Sequence, residues 1–138
     1  MVEINIQYQG DLRCDATHGP SGQTLITDAP VDNHGKGESF SPTDLVATAL
    51  GSCVVTIMAI YSNKIGVDLS GAAVKVEKHM STDSPRRIVK LPVRVDVPVS
   101  LNADQREALE NAARSCPVHK SISVEIDAPI EFHYPQAG

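Results

Sequence analysis

Tryptophan is absent from the 138 residues, and only five aromatic side chains occur: Phe40, Phe132, Tyr8, Tyr61 and Tyr134. So sparse a set does not furnish a base-stacking platform for single-stranded nucleic acid. Basic residues are also scarce, with 12 Lys+Arg against 17 Asp+Glu and a formal net charge of −5. That sign does not suit a phosphate backbone, so no nucleic acid partner is expected. Cysteine is limited to Cys14, Cys53 and Cys116, too few and too widely spaced for the disulfide framework of a small secreted domain. Residues 1–10 alternate apolar and polar side chains and lack the basic start and apolar run of a secretion signal. The expected setting is therefore the reducing cytoplasm, where a disulfide would be catalytic or redox-sensing.

What the chain does have is an ordinary globular composition, 41% hydrophobic and 21% charged, at a length that predicts one domain over residues 1–138. Val2, Ile4, Ile6 and Tyr8 alternate with polar residues, as do Leu12, Cys14 and Ala16 after a turn at Gly10-Asp11. Both segments read as half-buried strands. A turn cluster at residues 18–22 leads to a short strand over residues 24–27. A polar loop holding Pro30, Gly35 and Gly37 then runs from residue 28 to 40.

One segment is unlike the rest. Ser41-Pro42-Thr43-Asp44 supplies an N-cap, a proline at the first helical position and an acid three residues after the cap. The 19 residues from Leu45 to Asn63 carry no charge, and Lys64 and Gly66 then close the run. The predicted helix over residues 42–64 would be about 35 Å long. That length would also span a membrane, but Thr48, Gly51, Ser52, Thr56, Ser62 and Asn63 interrupt the apolar run. The expectation is a buried central helix and no membrane association. A single 138-residue domain is short of material to cover such a helix, which points to a homodimer.

Downstream, residues 73–79 read as a strand. Val89, Leu91, Val93, Val95, Val97 and Val99 predict one long strand, placed at a sheet edge by Pro92 and Pro98. Asn102 and Gln105 form a cap and its reciprocal partner for a second helix, whose apolar face is Ala108, Leu109, Ala112, Ala113 and Cys116. Pro117 ends that helix or opens a new turn. Ile122, Val124 and Ile126 predict a last strand, prolonged by Ile130 and Phe132. The fold class is α+β in the order β-β-β-α-β-β-α-β.

Two cysteines carry the chemical question. Cys53 follows the small pair Gly51-Ser52 on the apolar helix. It is either an inert small hydrophobe or a nucleophilic thiol held on a rigid element, and the second role needs a cation or hydrogen-bond donors nearby. Cys116 precedes Pro117 and either continues the packing stripe of the second helix or flanks a new helical turn. Cys14 lies on an inward strand face and reads as packing. Cys116-x-x-His119 is half of a zinc site without its other half, so no metal is expected. His119 reads as a solvated or hydrogen-bonding residue near the second thiol. Asp44 is a helix-capping acid or an orienting group for an arginine. Arg13, Arg114 and the pair Arg86-Arg87 are the cations to consider.

With these residues in place, the sequence resembles the OsmC/Ohr family of bacterial thiol peroxidases. The resemblance rests on Ser41-Pro-Thr-Asp-Leu-Val-Ala-Thr-Ala-Leu-Gly-Ser-Cys53 and on Ala113-Arg-Ser-Cys-Pro-Val118, together with the element order. It implies an OsmC-like fold in an intertwined homodimer, with active sites at the dimer interface. It also implies a catalytic cycle without metal, flavin or other cofactor: Cys53 attacks an organic hydroperoxide, Cys116 resolves the sulfenic acid as a disulfide, and an external dithiol restores both thiols. The hydroperoxide-resistance branch of that family has Glu directly after the helix-opening proline, where this chain has Thr43 and then Asp44. That branch also carries an activating arginine in the glycine-rich turn. Residues 18–22 hold none here, and Arg13 is the nearest replacement. The other readings are a redox sensor without turnover and a dimer that binds a hydrophobic ligand.

Overall fold

The computed structural model describes residues 1–136. The chain divides into two compact units, Met1–Val46 and the remainder, with the boundary inside the long helix.

In the first unit, strands β1 (Ile4–Gly10), β2 (Arg13–His18) and β3 (Thr24–Asp28) form an antiparallel sheet in the order β1-β2-β3. The β1–β2 connection is tight because Gly10, Asp11 and Leu12 all take positive φ, at 87°, 53° and 64°. Leu12 is an unusual residue to find there, and it is tied in on both sides. Its N–H donates to the Tyr8 hydroxyl at 3.3 Å, and its carbonyl accepts from the Ala29 N–H at 3.2 Å. The register places Ile6, Ala16 and Leu25 in one cross-strand row, and Tyr8, Cys14 and Thr27 in the next. Most of this apolar face is open: Ile6 is 67% exposed and Tyr8 63%.

Residues 29–40 wrap around Asp28. Gly37 N–H donates to Ala29 O, and a Cβ at Gly35 would stand 1.8 Å from that same carbonyl, so only glycine fits there. The buried Asp28 carboxylate accepts from the Glu38 N–H at 2.9 Å and lies 3.5 Å from the Arg13 guanidinium, which also pairs with Glu38. The Glu38 N–H is the main cause of a depressed Asp28 pKa, with Arg13 adding to it and burial opposing.

The second unit is built on helix α1 (Pro42–Lys64), whose predicted bounds and cap are observed. Asp44 N–H donates to Ser41 Oγ at 3.1 Å, and Ser41 N–H donates to the Asp44 carboxylate at 2.9 Å. Ala47, Leu50, Gly51, Val54, Met58 and Ser62 form one buried stripe, while Ile60 and Tyr61 on another side are exposed. The helix is long and apolar enough to cross a membrane, but its Gly51 side is committed to a sheet. A Cβ at Gly51 would come within 2.7 Å of Val76 Cγ2 and 3.3 Å of Val74 Cγ1.

That sheet has the order β4-β7-β8, from β4 (Ala73–Val76), β7 (Val93–Asp96) and β8 (Ile130–His133). Strands β4 and β7 are antiparallel, with Val74 opposite Val95 and Val76 opposite Val93. Strands β7 and β8 are parallel, with Val93 beside Ile130 and Val95 beside Phe132. A second, two-stranded sheet pairs β5 (His79–Met80) with β6 (Ile88–Lys90). Helix α2 (Ala103–Arg114) has the predicted capping box, with Gln105 N–H on Asn102 Oδ1 at 2.8 Å and Asn102 N–H on Gln105 Oε1 at 3.0 Å. Helix α3 (Pro117–Ser121) follows directly. Tyr134 donates its hydroxyl to Glu110 at 2.7 Å and stacks under Arg106 at 4.3 Å, clasping the segment after β8 onto α2.

The α+β class is observed, and three sequence expectations are corrected. The long strand predicted across residues 89–99 is two strands broken at Leu91-Pro92, because proline offers no ladder N–H. Its second part, β7, is the central strand of its sheet rather than an edge, since both prolines fall outside it. The strand predicted around Val124 is a turn in which Val124 is fully exposed, and the last strand is Ile130–His133 alone. The order is accordingly β-β-β-α-β-β-β-β-α-α-β.

Two outcomes follow from this packing. Gly51→Leu should destabilise the protein by about 1–3 kcal/mol in urea unfolding, because the helix cannot back away from β4 without opening the core. An unchanged unfolding midpoint would show that the helix–sheet contact yields freely. Asp28 has a lowered folded-state pKa, so its contribution to stability is present above about pH 4 and is lost as the pH falls through the folded value. Asp28→Asn should lower stability at pH 7 and flatten its acid limb between about pH 4 and 2. Parallel stability–pH curves for the two proteins would refute that contribution.

Candidate functional site

The packing of α1 and α2 in the second unit brings two of the four sequence-predicted site residues together. Cys53 sits on α1 two residues after Gly51, where the helix lies closest to β4, and it is half-buried. The adjacent Ser52 hydroxyl is turned back onto the Thr48 carbonyl at 2.8 Å. Cys116 ends the buried stripe of α2 that begins with Leu109 and Ala113, and it is 0% exposed. Both thiols are free, and they lie near enough for Cys53 to act on the titration of Cys116.

Cys116 also caps the next helix. Its Sγ accepts from the His119 N–H at 3.4 Å, and its own N–H donates to Ala113 O at 3.2 Å. Burial pushes the Cys116 thiol pKa up, and the neighbouring Cys53 thiol pushes the same way. The backbone N–H groups of His119 and Val118 pull it down. The sulfur is thus a core atom with donors already aimed at it. Donors of this kind stabilise a thiolate, which is the nucleophilic form.

Arg13 and Asp44 belong to the first unit, where Arg13 holds Asp28 and Glu38 and Asp44 holds Ser41. Asp28 and Glu38 are partners of Arg13 that sequence reasoning missed, because they lie 15 and 25 residues away across a loop. Arg114, two residues before Cys116, pairs with Glu110 at 3.7 Å and lies over the Phe132 ring at 5.5 Å. Arg87 pairs with Asp83 at 3.1 Å. Cys14 is half-buried on β2 in the first unit.

His119 was read only as a histidine near the second thiol. The structure gives it a backbone bond to Cys116 and a ring contact from Nε2 to the Ala128 carbonyl at 3.1 Å. The proline directly after Cys116 was the available signal, since it starts a turn that brings residue 119 back to the sulfur. Among the described residues, no cluster of three or more His, Cys, Asp or Glu side chains is arranged to hold a metal ion. A groove of about 690 Å³ runs between α1 and α2, lined by Ile57, Ile60, Tyr61, Ala108, Ala112 and Ser115 among others. Ile57 is one helical turn from Cys53, and Ser115 adjoins Cys116.

Comparison with known proteins places this arrangement. No curated protein is significantly similar to the chain. Among solved structures, a Psychrobacter arcticus protein named for osmotic stress induction and a detoxification response is 42% identical, with 96% of each chain covered and a TM-score of 0.91. The organic hydroperoxide resistance protein OsmC of Legionella pneumophila shares the fold at 15% identity, with 96% of each chain covered and a TM-score of 0.77. So does the organic hydroperoxide resistance protein OhrB of Bacillus subtilis, at 15% identity, 96% and 97% coverage and a TM-score of 0.70. The family described as OsmC-like protein matches residues 35–131, a span that holds α1, both thiols and strands β4 and β7. The chain therefore belongs to the OsmC-like protein family.

Proposed function

We propose that the protein is a two-cysteine peroxidase that reduces organic hydroperoxides. The observation that carries this reading is the pair of neighbouring free thiols, one half-exposed on a rigid helix and the other sealed in the core. The difference in exposure supports a division of roles. Cys53 can meet a substrate, and its thiolate would attack one oxygen of the hydroperoxide. The O–O bond breaks, the alkoxide takes a proton to leave as the alcohol, and Cys53 becomes a sulfenic acid. Cys116 is shielded from peroxide and lies near Cys53, so it would condense with the sulfenic acid, giving a disulfide and water. A dithiol outside the protein would return both thiols by exchange. No step is assigned to Arg13 or Asp44.

The groove between α1 and α2 has an apolar side of Ile57, Ile60 and Tyr61 facing a polar one of Asp104, Glu107 and Asn111, and the apolar side would gain by covering the alkyl group of an organic substrate. Two proteins of the same fold are named for organic hydroperoxide resistance, which accords with the reading. The working form would be a homodimer. Within each unit apolar side chains are left open, Ile4, Ile6 and Tyr8 on β1 in the first and Ile60 and Tyr61 on α1 in the second, and a partner chain would cover them.

Cys53→Ser should abolish consumption of cumene hydroperoxide, whereas Cys116→Ser should consume one equivalent and then stall as a trapped sulfenic acid. Intact-mass analysis with peptide mapping should find a Cys53–Cys116 disulfide in the unsubstituted protein after one equivalent. Sustained turnover by the Cys53→Ser protein would overturn the assignment. Light scattering should return twice the 14.8 kDa chain mass at micromolar concentration. A monodisperse monomer would refute the dimer.

A further inference from the structure

His119 joins Cys116, three residues back, to Ala128, nine residues on and beside the sheet. Its backbone N–H points at Cys116 Sγ, and its ring Nε2 lies 3.1 Å from the Ala128 carbonyl oxygen. A carbonyl oxygen only accepts, so Nε2 carries the proton of this contact. The target is fixed in place: on either side of Ala128, the carbonyls of Asp127 and Pro129 accept from the N–H groups of Leu91 and Val93, each at 2.8 Å. Helix α3 is not fixed by its own stability. It has five residues, and a helix that short does not persist without outside contacts. The imidazole is a strut from this short helix to the sheet margin, and it holds the turn whose N–H groups face the buried sulfur.

We propose that His119 is a positioning residue for the disulfide-forming step, its ring anchoring residues 117–121 on Ala128 so that their backbone N–H groups stay aimed at Cys116 Sγ. The inference rests on the peroxidase reading above. In that step the S–S bond forms as the S–O bond of the Cys53 sulfenic acid breaks. Hydroxide leaves from Cys53 and takes the proton given up by Cys116, so one sulfenic acid and one thiol yield one disulfide and one water. The attacking species is the Cys116 thiolate, which the burial of Cys116 opposes and the Val118 and His119 N–H groups favour. The attack of Cys53 on the hydroperoxide requires nothing of α3, so the two steps respond differently to loss of the ring.

A single-turnover experiment separates them. The reduced protein is mixed with one equivalent of cumene hydroperoxide and quenched over time. Sulfenic acid is trapped with dimedone, and the disulfide is counted by mass. His119→Ala should slow disulfide formation by about tenfold and raise dimedone trapping, with Cys53 oxidation within about twofold of the unsubstituted rate. His119→Gln places an amide N–H near the position of Nε2 and should recover most of the lost rate. Disulfide formation unchanged in His119→Ala would overturn the inference and leave the two-thiol chemistry standing. Equal slowing of both steps without recovery in His119→Gln would reduce His119 to a residue needed only for folding, and would also overturn it. If Cys53 of the unsubstituted protein is not oxidised at all, the peroxidase reading falls and the inference falls with it.

Discussion

The nearness of the Cys53 and Cys116 thiols depends on how closely α1 lies against β4. Gly51 has no side chain to hold the helix off Val74 and Val76, and Cys53 stands two residues further along the same helix. On the opposite side, Leu109, Ala113 and Cys116 bring α2 into the same core at one-turn intervals. Two sulfur atoms separated by 63 positions in the chain are thus brought near each other, one on α1 and one in the short connection between α2 and α3. Sites built on rigid elements keep their geometry better than sites built on loops, and here Cys53 has such support from α1 while Cys116 is held by burial and by its cap on α3.

Features governed by neighbouring residues were legible in the sequence. The reciprocal caps at Ser41/Asp44 and Asn102/Gln105 are four-residue patterns, and both occur where the residue types place them. The ends of α1 follow from Pro42 and from the charge at Lys64. Pairing at long range was not legible. The valine alternation across residues 89–99 continues through Pro92 as a pattern, while the hydrogen-bond ladder does not, so one apparent strand is two in different sheets. The alternation at Ile122, Val124 and Ile126 looks like a strand, but the backbone of residues 127–133 takes the place beside β6 and β7. Period-2 patterning tells which residues suit a strand and not which segment obtains a partner.

The candidate site divides along the same line. Cys53 and Cys116 stood out through their motifs, and the resemblance named them as a pair before any distance was known. The carboxylates that hold Arg13 could not be found that way. Asp28 faces Arg13 across a strand pair, and Glu38 reaches it only because residues 29–40 fold back over Asp28. The second task of His119 depends on Ala128, whose position follows from the parallel pairing that sequence reasoning had misplaced.

Cys116 serves the fold as well as the chemistry: it fills the core below α2, and its sulfur caps α3. A disulfide sulfur is a poorer acceptor than a thiolate and must turn toward its new partner, so oxidation takes something from both structural tasks. In the proposed cycle, the capping of α3 by this sulfur belongs to the dithiol form. By thermodynamic linkage, whatever the fold loses when Cys116 turns away from α3 would be subtracted from what the nearness of Cys53 contributes to the proposed disulfide. Folding and electron affinity are coupled through one sulfur atom, and a mutation that loosens the α3 turn alters both.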